Sequence, residues 1–72
     1  MVSRKQAIIH NNNVVSSVTA VLMESRIVDP FRFLTDQDYS VRMIKKYIDA
    51  ANVARKVMKL PNLFLYDLSK ID

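Results

Sequence analysis

The sequence predicts an all-α fold, a small bundle of three main helical segments packed around one long central helix at about residues 35–59. Apolar side chains recur there at the helical spacing of three and four residues. The 72-residue chain contains no glycine, which argues against tight β-hairpins and against phosphate-binding loops. It also contains no cysteine, which excludes disulfides and thiolate zinc sites. A single small helical domain is therefore expected over residues 1–72.

The first predicted element covers residues 3–25. Ser3 suits an N-cap, with Gln6 reaching back to complete a capping box. Asn11 and Asn12 fall on or beside the apolar side of this helix, where an asparagine can fix register or oligomeric state. One alternative is a strand, followed by a turn at Asn11 to Asn13 and a second strand. Another alternative is a regular helix that begins only near Asn13. The apolar residues on the shared side are Ile8, Val14, Val15, Val18, Val21 and Leu22.

The same segment loosely resembles a targeting signal, because Arg4 and Lys5 precede an apolar run over residues 14–23. The asparagines interrupt that pattern and no small-residue cleavage site follows, so a structural helix is favoured. No apolar run approaches the roughly 20 residues needed to span a bilayer. A protein without a membrane span, located in the cytoplasm, is expected.

A connector over residues 26–35 leads into the long helix, which starts at Thr35. Asp29 before Pro30 predicts an N-cap and the first position of a short helix. The side chains expected to plug the end of the bundle are Phe31, Phe33 and Leu34. Core packing is the favoured interpretation of the two phenylalanines, and anchoring to a partner is the alternative. Arg32 between them is expected to face solvent.

The long helix carries start and stop signals at its two ends. Thr35 is the predicted N-cap, followed by Asp36 and Asp38 in the first turn, with Leu34 and Tyr39 placed for a hydrophobic staple. Cations crowd the other end and Pro61 prevents much continuation. The polar stripe of this helix comprises Arg42, Lys45, Asp49, Asn52, Lys56 and Lys59, flanked by Lys46 and Arg55.

Two adjacent apolar rows occupy the rest of the long helix. One row is Val41, Ile44, Ile48, Ala51 and Met58, and the other is Met43, Tyr47, Ala50, Ala54 and Val57. Because a surface helix usually needs an apolar stripe only somewhat wider than about 100°, two rows predict cover from more than one side.

The residues after Pro61 predict a last short helix, opened by Pro61 or Asn62. A strand through residues 63–66 is the alternative, since periodicity over so few residues does not decide between them. One side of the predicted helix would carry Leu60, Phe64, Leu68 and Ile71, and another Leu63 and Tyr66.

Catalytic chemistry is not indicated by the sequence. His10 is the only histidine and is expected to be a surface or interface side chain. Asp49 is expected to form an ion pair with Lys45 or Lys46. The sequence therefore predicts no catalytic residue, no cofactor site and no metal site, and a protein that is not an enzyme.

Half of the residues are hydrophobic, which is more than a chain this short can bury by itself. The expected function is a non-enzymatic small helical protein that acts through protein–protein contact, by self-association or by docking on a larger assembly. The candidate apolar contacts are Phe31, Phe33, Tyr47, Leu63, Phe64 and Tyr66.

A net charge of +4 supports an alternative, a nucleic-acid-binding helical domain that is dimeric and uses the basic stripe of the long helix. A solvated face that keeps an apolar protein in solution explains the same charges. The candidate contacts for nucleic acid or an acidic partner are Arg4, Lys5, Arg42, Lys45, Lys46, Arg55, Lys56 and Lys59.

Overall fold

The computed structural model describes residues 2–71 and confirms the all-α prediction. Helix α1 spans Arg4–Glu24, helix α2 spans Pro30–Thr35 and helix α3 spans Gln37–Val57. A single 3-10 turn at Leu68–Lys70 lies near the end of the chain. No β-strand occurs within residues 2–71.

Helix α1 begins with the predicted capping box. The Gln6 backbone N–H donates to Ser3 Oγ at 3.1 Å, and the Ser3 backbone N–H donates to Gln6 Oε1 at 3.1 Å. The helix continues without a break through the three asparagines at 11–13. The strand interpretation and the late start near Asn13 are therefore both wrong. Buried Val18 and Leu22, one turn apart, anchor the helix to the core and favour its continuation.

Helix α2 has the predicted cap, since Asp29 Oδ1 accepts from the backbone N–H groups of Phe31 and Arg32, with Pro30 at the first position. The prediction that Thr35 caps the long helix is wrong, because Thr35 is the last residue of α2. Asp36 caps α3 instead, with its Oδ1 accepting from the Tyr39 backbone N–H at 3.1 Å.

The shift of the cap by one residue removes the predicted hydrophobic staple. Leu34 no longer occupies the position before the cap, and its side chain is exposed. Tyr39 packs against the core, and its hydroxyl oxygen accepts from the Asp29 backbone N–H at 3.1 Å. The tyrosine therefore joins α3 to the connector rather than pairing with Leu34.

Helix α3 is one continuous helix, shorter than the predicted range of 35–59 by two residues at each end. Lys59 lies beyond it in the left-handed region with φ 60°, and the Leu60 N–H donates to the Arg55 carbonyl at 2.9 Å. Arg26, with φ 58°, follows α1 in the same way. Glycine usually occupies this position, and a side chain there costs about 1 kcal/mol. Because the chain has no glycine, this cost applies at both Arg26 and Lys59.

The buried core comprises few side chains. Its members are Val18, Leu22, Val28, Phe33 and Ile48, and Ala7 is buried separately. Phe33 is a core residue, as favoured from the sequence. Phe31 and Leu34 are exposed, so the prediction that they also plug the bundle is wrong. They lie three residues apart on the side of α2 that faces away from Phe33.

The chain after α3 does not form the predicted last helix. Residues 60–67 belong to no helix or strand, so the helix and strand interpretations of this stretch are both wrong. Helical structure is limited to the 3-10 turn. We call residues 60–71 the tail. Side chains of α1 and α3 form hydrogen bonds with the backbone of the tail. These bonds take the place of those that a helix or a sheet would provide.

The described chain is flat, with principal extents of 37 × 32 × 16 Å. Two packed helices have a Cα thickness of about 13 to 15 Å, so the short dimension corresponds to two layers. The radius of gyration is 13.3 Å, whereas a compact domain of this length has about 11 Å. A third layer that would cover the outer sides of the long helices does not occur within residues 2–71.

Candidate interaction surfaces

One open apolar groove of about 540 Å³ lies on one flank of α3. Val15 of α1 and Leu65 of the tail contribute to its walls. We call this depression the groove. Its α3 residues are Gln37, Ser40, Val41, Ile44, Lys45, Ile48 and Asp49.

The charged rim of the groove neutralises itself. Lys45 Nζ lies 3.5 Å from Asp49 Oδ2, one helical turn away, which confirms the predicted ion pair with Lys45 as the partner. Both side chains are well exposed, so the pair contributes only a few tenths of a kcal/mol to stability. Its larger effect is that the groove carries no uncompensated charge.

Three smaller depressions adjoin one another on the opposite flank of α3, and together we call them the trough. Their volumes are about 240, 190 and 290 Å³. Tyr47 lines the first and second, while Met43 and Lys46 line the second and third. The first is bounded by α1 and by Leu63 of the tail. An apolar channel therefore continues into a polar one.

The last part of the trough is cationic. Arg32, Arg42 and Lys46 line it together with Tyr39. The Arg32 guanidinium lies 4.3 Å from the centre of the Tyr39 ring, which is a cation–π contact, and Arg32 Nε lies 3.8 Å from Asp36 Oδ2. Arg32 is thus partly exposed, as expected, but it is also held against α3.

The helical repeat explains why the groove and the trough are separate. Residues 41, 44, 45 and 48 of α3 share one flank, whereas residues 39, 42, 43, 46 and 50 share the other. No residue lines both surfaces. Ile48, the buried residue of α3, belongs to the groove flank and also packs in the core.

Two asparagines hold the tail by the same arrangement. Asn11 Nδ2 donates to the Tyr66 carbonyl at 3.0 Å, and its Oδ1 accepts from the Tyr66 N–H at 2.8 Å. Asn52 Nδ2 donates to the Leu63 carbonyl at 2.9 Å, and its Oδ1 accepts from the Leu63 N–H at 2.7 Å. Each amide pairs with both backbone groups of one residue, as a neighbouring strand would.

Two of the candidate basic contacts also hold the tail. Arg4 Nη1 donates to the carbonyls of Leu68 at 2.8 Å and Ile71 at 3.3 Å. Arg55 Nε donates to the Pro61 carbonyl at 2.6 Å. Neither Asn52 nor Arg55 belongs to a freely solvated stripe, which corrects that part of the sequence interpretation. The cations at Lys5, Arg42, Lys46, Lys56 and Lys59 are exposed.

His10 lies against the tail, half-buried. Its Nε2 is 2.9 Å from the Phe64 carbonyl oxygen, its ring stacks on Phe64 at 4.4 Å, and Tyr66 meets it edge-on at 5.1 Å. The expected surface or interface histidine is thus an internal contact between α1 and the tail.

The candidate apolar contacts are distributed over different parts of the molecule. Tyr47 and Leu63 line the trough, Phe64 and Tyr66 pack on His10, and Phe31 is exposed on α2. Phe33 is buried in the core. Sequence reasoning did not identify the groove. The row at 41, 44 and 48 was a partial signal, but the contributions of Val15 and Leu65 depend on tertiary structure.

The described residues provide no group of three His, Cys, Asp or Glu side chains placed to hold a metal ion. None of the helices within residues 2–71 combines the length and the apolar character needed to cross a bilayer. When the chain is compared with known proteins, no family model, no curated protein and no solved structure matches it. The two surfaces are therefore the features of the molecule that bear on its function.

Proposed function

We propose that this protein is non-enzymatic and acts in the cytoplasm through contact with other protein molecules. The observation that carries the proposal is the accessible surface of 5768 Å². A folded monomer of 8.3 kDa typically exposes about 4,600 Å². The surplus, about 1,200 Å², exceeds the roughly 800 Å² that each partner buries in a standard interface.

The exposed apolar side chains support the proposal. Single exposed hydrophobic residues are ordinary on protein surfaces, whereas contiguous apolar patches mark sites of interaction. In the groove, Val41 and Leu65 are exposed beside the partly buried Ile44 and Val15, so the patch is contiguous. Burial of such a patch against a partner would add to a core that is small for the chain.

The concentration dependence of thermal unfolding tests this proposal. Association stabilises the folded state by mass action, so the unfolding midpoint should rise by about 5 to 10 °C between about 1 and 200 µM protein. A midpoint that does not move, in a monomer whose unfolding free energy exceeds about 5 kcal/mol, would contradict it, because such a chain is stable without a partner.

Nucleic-acid binding remains the second candidate function, and it is favoured by one observation, the grouping of Arg32, Arg42 and Lys46 at the end of the trough. The support is narrower than the sequence suggested, because Arg4, Arg55 and Lys45 have partners within the chain. Arg32 also has one, since it pairs with Asp36. Binding to random duplex DNA at 50 and 200 mM salt tests it. A fall in affinity of about tenfold or more is expected for several phosphate contacts, and absent or salt-independent binding would contradict it.

A further inference from the structure

We propose that the groove binds a second copy of this chain, giving a two-fold symmetric dimer in which the α3 helices of the two copies pack together. This inference rests on the proposed function and adds the surface and the occupant. The trough lies on the opposite flank of α3 and stays open in such a dimer.

The shape of the groove is self-complementary. Val41 is 57% exposed and Leu65 is 42% exposed, so both project from its walls. Ile44 and Ile48 lie lower in the same depression. A two-fold axis requires each copy to offer both the projection and the cavity that receives it. The groove has both, whereas a surface built for a foreign partner needs only one.

The spacing along α3 suits a helix partner. Val41, Ile44 and Ile48 are separated by three and four residues, which is the seam spacing of paired helices. A two-fold axis perpendicular to the helix places the two α3 segments antiparallel, with Ile44 near the axis and Val41 of each copy near Ile48 of the other. Gln37 and Ser40 then lie at the polar edge of the interface.

Charge favours a second copy over an acidic partner at this surface. Each chain carries a net charge of +4, so two copies repel at long range whatever surface they use, and a charged contact surface would add to that repulsion. The Lys45–Asp49 pair makes the groove rim neutral, whereas the trough carries cations. The neutral apolar surface is therefore the one on which two like-charged molecules approach at least cost.

The surplus surface of the whole chain is large enough to supply a dimer interface. A stable dimer buries about 800 Å² on each copy. The exposed surface of 5768 Å² exceeds that of a typical monomer of this size by about 1,200 Å². Burial of one standard patch per copy would remove most of this surplus.

Sedimentation equilibrium of the full chain and of two matched variants tests the inference. Val41→Glu places a carboxylate in the groove, and we expect the dimer dissociation constant to rise about 100-fold, because each dimer would bury two unpaired charges. Val53→Glu is the control, since Val53 is also an exposed valine of α3, 68% exposed, but lies outside the groove. It should leave the constant within about threefold of the original.

The outcomes separate this inference from the broader proposal. A dimer weakened by Val41→Glu alone supports it. A dimer that both variants leave intact overturns the groove as the interface, although function by protein contact stands. A stable monomer at all concentrations overturns both. Circular dichroism checks that the helices persist, and Leu65→Glu, on the non-helical tail, replaces Val41→Glu if that variant fails to fold.

Discussion

The two flanks of α3 differ in chemistry although they belong to the same helix and are bounded by the same tail. The groove is one wide apolar depression whose only charges pair with each other. The trough is divided into three smaller depressions, and it ends among three cations and an aromatic ring. Shifts of one or two positions along α3 decide which flank a residue reaches.

This difference shows that the amount of apolar sequence does not by itself define an interface. Both apolar rows of α3 contribute partly exposed side chains. Only the groove combines breadth, neutrality and projecting side chains. The trough is occupied in part by Leu63, which Asn52 holds in place. The tail therefore contributes one side chain to each flank, Leu63 to the trough and Leu65 to the groove.

The largest effect should come from the core that supports both flanks. Leu22 is fully buried, so Leu22→Ala should lower the unfolding free energy by about 3 kcal/mol through lost burial and the cavity it leaves. That is close to the whole stability of a chain of this size. Urea unfolding followed by circular dichroism measures it. Val21→Ala, at the exposed neighbouring position, should cost less than about 1 kcal/mol, and equal effects would contradict the assigned core.

A smaller effect should follow from release of the tail. Asn52→Ala removes both hydrogen bonds to the Leu63 backbone and should cost about 2 kcal/mol. It should also speed hydrogen exchange at the Leu63 N–H and weaken association, because the tail supplies a wall to each flank. Asn12→Ala, at an exposed position of α1, is the control. If the two variants show the same hydrogen exchange and the same unfolding free energy, the hydrogen bonds from Asn52 to the tail do not stabilise the fold.

A change outside both flanks should alter stability alone. Lys59→Gly relieves the left-handed conformation at the end of α3 and should raise the unfolding free energy by about 1 kcal/mol. Lys56→Gly, in the last turn of α3, should lower it by about 1 kcal/mol. When the variants are compared at the same fraction of folded protein, neither should change the dimer dissociation constant. Destabilisation by Lys59→Gly would show that the lysine side chain matters more than the backbone strain.

The smallest effect on dimer dissociation is expected from a substitution that makes the charge of the groove resemble that of the trough. Asp49→Asn leaves Lys45 without its partner and adds like charge on both copies, so the dimer should dissociate about threefold more readily at low salt. The difference should shrink at high salt. Asp38→Asn makes the same charge change in the first turn of α3, away from the groove, and should have less effect on sedimentation. Equal responses would mean that net charge, not the rim, controls association.

Local signals in the sequence located most of the helices. The capping box of Ser3 and Gln6 and the pair Asp29–Pro30 specify their helix starts within four residues, so both were predictable. The start of α3 was misplaced because Thr35 and Asp36 are both good caps. Only the presence of α2, which includes Thr35, decides between them.

The tail and the groove could not be predicted from local pattern. Asn11 and Tyr66 are 55 positions apart, and Arg4 and Leu68 are 64 apart, so their hydrogen bonds leave no periodic signal. The position of Asn11 on the apolar side of α1 predicts a residue that fixes register between helices. Its actual role, to satisfy the backbone of a non-helical segment, appears only when the chain is folded.

Small-angle X-ray scattering across a concentration series tests the central claim most directly, because it reports mass and size together. If the groove pairs two chains, the scattering mass should rise from 8.3 kDa towards twice that value in the micromolar range, and Val41→Glu should keep the mass of one chain. A well-folded chain that keeps the mass of one copy and a radius of gyration near 13.3 Å at every concentration would contradict it.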